Sequence, residues 1–92
     1  MGRLDGRVAL ISGAARGMGQ AAATLFAAEG AQVAVCDVVD AEGEAVADQI
    51  GARARFQHLD VTSEADWAAA VAATTSAFGK IDVLVKIGRA HV

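Results

Sequence analysis

The sequence contains no proline and no tyrosine, and it has one cysteine, one tryptophan and three phenylalanines. The lone Cys36 excludes an internal disulfide and a multi-cysteine metal site. Without tyrosine, no phenol can serve as an acid or base. No apolar run approaches the ~20 residues of a membrane-spanning helix. The opening residues lack the long apolar stretch of a secretory signal, and the short run at 8–11 is too brief to supply one. Together with the single cysteine this predicts a cytoplasmic protein. The formal charge is 8 − 11 = −3 with no basic cluster, which argues against nucleic-acid or anionic-membrane partners.

What is present is an apolar, alanine-rich chain. Apolar residues make up 54% of its 92 residues, and 23 residues are alanine. That is enough for one small core built from closely packed helices. Short apolar runs alternate with amphipathic stretches. Residues 8–11 (VALI), 32–36 (QVAVC), 54–59 (ARFQHL) and 81–85 (IDVLV) read as strands. A helix over 17–29 would bury Met18, Ala22, Leu25 and Phe26, with Gly30 beyond its end. A second is expected over 40–50, capped by Asp40 and ended by Gly51. Ser63 with Asp66 three residues later opens a third, carrying Trp67, Val71, Thr74 and Phe78 inward and closed by Gly79. The order β-α-β-α-β-α-β with short connections predicts a parallel α/β sheet with right-handed crossovers.

The most informative stretch is Ser12-Gly13-Ala14-Ala15-Arg16-Gly17-Met18-Gly19, between the first strand and the first helix. Gly13 suits a sharp turn off the strand. Gly17 lets the backbone approach a pyrophosphate, and Gly19 lets the helix pack closely on the strand. Free N–H groups and the helix dipole would face the phosphates. The spacing is G-x-x-x-G-x-G. In this the chain resembles the short-chain dehydrogenase/reductases, whose usual signature is T-G-x-x-x-G-x-G, with Ser12 in place of Thr. The resemblance spans residues 4–85. The stretches GRVALISGAARGMG, HLDVTSEADW and FGKIDVLV are similar to bacterial hydroxysteroid dehydrogenases of the 3α/20β type. Glucose dehydrogenases and 3-oxoacyl-carrier-protein reductases share nearly the same pattern. Extended nucleotide-sugar epimerases, with G-x-x-G-x-x-G, fit less well.

The resemblance implies a doubly wound Rossmann-type sheet, truncated to four strands in order 3-2-1-4 with three helices. It also implies a nicotinamide cofactor and an alcohol/ketone substrate. Asp37 closes the second strand, where a carboxylate can accept both ribose hydroxyls of NAD and repel the 2′-phosphate of NADP. Arg16 points the other way, since a basic residue before the second glycine can pair with that phosphate. Direct repulsion by Asp37 favours NAD. By the resemblance, Asp60 meets the adenine amino group, the Val61 backbone completes that contact, and Met18 lies towards the nicotinamide ribose. The expected cofactor-binding set is therefore Ser12, Gly13, Arg16, Gly17, Met18, Gly19, Asp37, Asp60 and Val61, with no metal ligand. Cys36 reads as a small core residue, His58 as a residue without metal partners, and Arg53 and Arg55 as solvated.

After residue 85 the pattern departs. The family continues Asn-Asn-Ala-Gly, whereas this sequence reads Lys-Ile-Gly-Arg-Ala-His-Val over 86–92. The codons AAG ATC GGA AGA GCA CAC GTC would encode that tail, and they contain the start of a common sequencing-library adapter. Residues 1–85 are thus expected to be the N-terminal part of a dinucleotide-binding domain, and 86–92 an adapter read-through. The resemblance assigns catalysis to a Tyr-x-x-x-Lys pair, a Ser and an Asn that would all lie beyond residue 85. The chain is accordingly expected to bind cofactor without catalysing, to belong to a homo-oligomeric parent, and to be marginally stable alone. The alternative is a non-catalytic nucleotide-binding module that ends naturally at residue 92.

Overall fold

The computed structural model describes residues 2–87. It comprises β1 (Val8–Ile11), α1 (Gly17–Ala28), β2 (Gln32–Asp37), α2 (Asp40–Ile50), β3 (Ala54–His58), α3 (Glu64–Phe78) and β4 (Val83–Val85). The four strands form one parallel sheet in the order β3-β2-β1-β4, the predicted Rossmann-type arrangement. β1 lies between β2 and β4, in register Val8 to Gln32 and Ala9 to Val83. All four of its residues are buried, as its unbroken apolar run requires.

Alternation along the strands divides the core between two faces. Ala9 and Ile11 of β1 and Val33 and Val35 of β2 face α1 and α2, joined by Ala23, Val46 and Ala47. Leu10, Ala34 and Cys36 face α3, joined by Leu59 and Ala70. On that second face α3 contributes Ala70 and the partly buried Trp67 to the cluster. Thr74, also buried there, satisfies its hydroxyl on the Ala70 carbonyl at 2.7 Å. Leu84 of β4 is 50% exposed. Among the described residues, no helix is long and apolar enough to cross a membrane.

Three local expectations are corrected. α1 does not bury Met18 and Leu25, which are 77% and 57% exposed. Its inward stripe is Gly19, Ala22, Ala23, Phe26 and Ala27, an i, i+3, i+4, i+7, i+8 face set by close backbone approach. α3 buries Thr74 as expected but turns Val71 outward and buries Ala70 instead. Asp40 does not cap α2. The cap is Val39, and Asp40 lies in the first turn, where its carboxylate meets the His58 ring at 2.6 Å. Ser63 does cap α3, accepting from Asp66 N. The Asp66 side chain accepts from Asp60 N at 2.9 Å. Of the anomalous tail, Lys86 and Ile87 are described, and the reading placed on 88–92 lies outside the described residues.

Candidate functional site

Ligands of open parallel sheets bind outside the carboxyl ends of the strands, where neighbouring crossovers diverge to opposite faces. Here that point is the end of β1, since α1 follows it on one face and α3 precedes β4 on the other. A groove of about 480 Å3 opens at this edge, bordered by Gly13, Arg16, Asp37 and the 59–62 segment. Three loops that are distant in sequence thus converge on one space.

The glycine loop is built as its sequence implies. Gly13 and Gly17 have φ of 64° and 62°, in the left-handed region where other residues are strained. Nothing lies within 4 Å of the position a Gly17 Cβ would take, so its outer side is open. A Cβ on Gly19, by contrast, would overlap the Gly13 carbonyl oxygen. The absence of a side chain there is what lets α1 rest on the loop. Ala14 N and Ala15 N are tied back to Cys36 O and to Asp37 Oδ2, at 2.9 and 3.0 Å. The N–H groups of Gly17, Met18 and Gly19 have no acceptor among the described residues. α1 has neither a side-chain cap nor an acidic residue in its first turn. The first turn of α2 carries Asp40 and Glu42, and that of α3 carries Glu64 and Asp66. The start of α1 is therefore the one suited to an external anion.

Asp37 stands half-buried at the end of β2. Its Oδ2 accepts from Ala15 N and its Oδ1 from Val39 N, at 3.0 and 3.1 Å. Two of its roughly four lone-pair positions remain for a ligand, and both oxygens are held in place. Arg16, across the groove, donates from Nε and Nη2 to the two carboxylate oxygens of Glu42, at 2.9 and 3.0 Å. Asp60 Oδ1 accepts from both Thr62 N and Thr62 Oγ1. Those bonds, the hydroxyl's first, hold its carboxyl below the usual range. Asp60 therefore shapes its own turn as well as bordering the groove. The Val61 carbonyl accepts from the Trp67 indole at 2.9 Å, which fixes the turn to α3.

The structure gathers Gly13, Arg16, Asp37, Asp60 and Val61 around the groove. Gly17 and Gly19 belong to the glycine loop but are not among the residues bordering the groove. Ser12 is fully buried and faces away, with its hydroxyl donating to Ile87 O and accepting from Ile87 N, both at 2.8 Å. It joins the end of β1 to the segment after β4. Met18 lies on the outer surface of α1. Glu42, Thr62, Trp67 and Ile87 contribute without having been foreseen. Asp-Val-Thr at 60–62 carried a turn signal that could have named Thr62. Glu42 and Ile87 reach their partners across 26 and 75 residues, and no local pattern announces such pairs.

Cys36 and His58 flank the site without entering it. Burial, and then the charge of Asp37, push the Cys36 thiol up to about 12, so it is inert at neutral pH. His58 is raised above the usual histidine range, chiefly by its hydrogen bond with Asp40, with the charges of Asp40, Asp66 and Asp60 adding to the effect.

Residues 7–88 match the short chain dehydrogenase family. The chain is 52% identical to a 3-alpha-(or 20-beta)-hydroxysteroid dehydrogenase of Mycobacterium tuberculosis, over 91% of this chain and 32% of that protein. Its structure resembles a hydroxysteroid dehydrogenase from Escherichia coli, with a TM-score of 0.87 and 39% identity over 91% of this chain and 37% of the other. It also resembles a 3-ketoacyl-(acyl-carrier-protein) reductase from Brucella melitensis complexed with NADH, with a TM-score of 0.86 and 47% identity over 88% and 34% of the respective chains. The chain spans about a third of the length of these relatives. A loop with glycines at 13, 17 and 19, a carboxylate ending β2, and these matches lead to one conclusion: the chain belongs to the short-chain dehydrogenase/reductase family.

Proposed function

We propose that this chain forms the adenosine and pyrophosphate half of a nicotinamide dinucleotide site, with NAD preferred over NADP. The parent activity in this reading is hydride transfer between nicotinamide and an alcohol/ketone pair, of which a hydroxysteroid is the first candidate. The observation that carries the reading is Asp37, anchored by two backbone N–H groups and bordering the same groove as the glycine loop. The open start of α1 suits the pyrophosphate. The free lone pairs of Asp37 suit the two ribose hydroxyls. The 60–62 turn, held by Thr62 and Trp67, suits the adenine.

Electrostatics favours the unphosphorylated cofactor. Asp37 and Asp60 both border the groove, and the charge of Arg16 is matched by Glu42. A 2′-phosphate would meet two carboxylates and a neutralised cation. The bound nicotinamide would supply the hydride chemistry, while these residues bind and orient. Since the sequence holds no tyrosine, we place no acid/base group in this chain and expect it to bind without turnover. A cytoplasmic, homo-oligomeric parent completes the proposal.

Titration of the chain with NAD+ and NADP+ tests it. Saturable binding should be tighter for NAD+. Replacing Asp37 with Ala should weaken NAD+ by ~10-fold or more, the worth of hydrogen bonds to a charged acceptor. An equal or greater affinity for NADP+ would refute the preference.

A further inference from the structure

We propose that Glu42 is a positioning residue for cofactor choice: it holds Arg16 in a two-pronged pair and so withholds from the ribose end of the groove the cation that would accept a 2′-phosphate. The inference rests on the nucleotide-site reading above.

Arg16 is the sole cation among the described residues bordering the groove. A guanidinium in that place would ordinarily invite a phosphate, because its planar fork matches two phosphate oxygens. Glu42 occupies one edge of that fork. Nε and Nη2 each donate to a different carboxylate oxygen, at 2.9 and 3.0 Å. An incoming phosphate would have to displace this carboxylate or bind beside it, against its charge and that of Asp37.

The chain's path explains why Glu42, of the acids near the groove, does this. It lies in the first turn of α2, and Arg16 is the N-cap of the neighbouring α1. Asp40, two residues earlier, is held by His58, and Asp37 is held by the backbone of Ala15 and Val39. Glu42 thereby offsets the preference that Arg16 alone would create. A carboxylate in the first turn of α2 is also a favourable partner of that helix's dipole, so loss of helix stability must be separated from loss of selectivity.

The experiment measures dissociation constants for NAD+ and NADP+ with the wild-type chain, Glu42→Gln, Glu42→Ala, and the double variant Arg16→Ala/Glu42→Gln. Circular dichroism verifies the fold of each. Both single variants should tighten NADP+ by ~3–5-fold, the upper range expected when an exposed ion pair is released, and leave NAD+ within about twofold. The double variant should lose the gain, because the effect passes through Arg16. A purely structural role would weaken both nucleotides together and leave their ratio unmoved. If NAD+ binds every variant alike while NADP+ stays at its wild-type value, the Glu42 inference alone is overturned. A gain that persists in the double variant also overturns it, by assigning the effect to field rather than to Arg16. If neither nucleotide binds wild type or variants, the nucleotide-site reading falls and takes this inference with it.

Discussion

α1 and α3 both begin at the carboxyl edge of the same sheet, yet their first turns are built differently. α3 is internally provided for. Ser63 accepts from Asp66 N, Glu64 and Asp66 bring negative charge to the positive end of the helix, and Asp66 also ties down Asp60 N. α1 has none of this. Its N-cap is an arginine turned towards Glu42, its first turn is Gly-Met-Gly, and three N–H groups there have no acceptor among the described residues. A helix start that ignores the usual capping chemistry in a chain that uses it elsewhere is, in the proposed reading, the place where a bound pyrophosphate would supply what side chains do not. On the proposed function, the difference separates a helix end built for stability from one built for binding.

The harshest way to break the comparison is Gly19→Val. The new side chain would collide with the Gly13 carbonyl and push α1 off its loop. We expect a loss of about 3 kcal/mol in urea unfolding, the upper range for overpacking, and loss of NAD+ binding. Full stability with retained binding would show that the close approach is dispensable.

Arg16→Asp sharpens it by giving α1 the cap it lacks. Compared with Arg16→Ala, which also removes the Glu42 pair, it should stabilise the chain by ~1 kcal/mol. The same carboxylate should weaken NAD+ by ~10-fold, because it competes with and repels the pyrophosphate; tenfold corresponds to ~1.4 kcal/mol. Calorimetric melting and nucleotide titration read the two effects, and changes of the same sign would break the argument. Ser63→Ala is the converse: about 1 kcal/mol of stability lost, with NAD+ affinity within twofold.

The smallest expected effect is one of pH. His58 ties β3 to the first turn of α2 through Asp40, with Asp66 of α3 at 3.7 Å. Its pKa is raised by folding, so its stabilising contribution is fully present below the unfolded value of ~6.5 and is lost as pH rises through the higher folded value. Stability measured upward from pH 6 should decline across that window, and His58→Gln should remove that slope. An unchanged slope in the variant would assign it elsewhere.

The strand and helix positions and the glycine loop were legible because each rests on local chemistry, whereas the strand order came only through the family resemblance. Four apolar runs at βα spacing and glycines at 13, 17 and 19 say where the chain must turn. The inward face of α1 was not legible. In an alanine-rich helix several stripes are apolar, and a reading weighted towards large side chains selects Met18 and Leu25. The structure selects Gly19 and Ala23, because small residues allow close approach. Asp40 was a sound cap on propensity alone, but Asp37 sets the entrance to α2 through Val39 N and leaves Asp40 to His58. Of the expected site residues on the groove, Gly13, Arg16 and Asp37 were readable from the loop and the end of β2, and Asp60 and Val61 only through the family resemblance. The turning of Ser12 to Ile87 and the pairing of Arg16 with Glu42 depend on contacts made only when distant segments meet.

The most direct test is to follow backbone amide resonances of the chain by NMR as NAD+ is added. The account predicts the largest shifts at Gly17, Met18 and Gly19, smaller ones at Val61 and Thr62, and none at Glu64 and Ala65. Shifts concentrated at the start of α3, or none at the start of α1 on saturation, would contradict it.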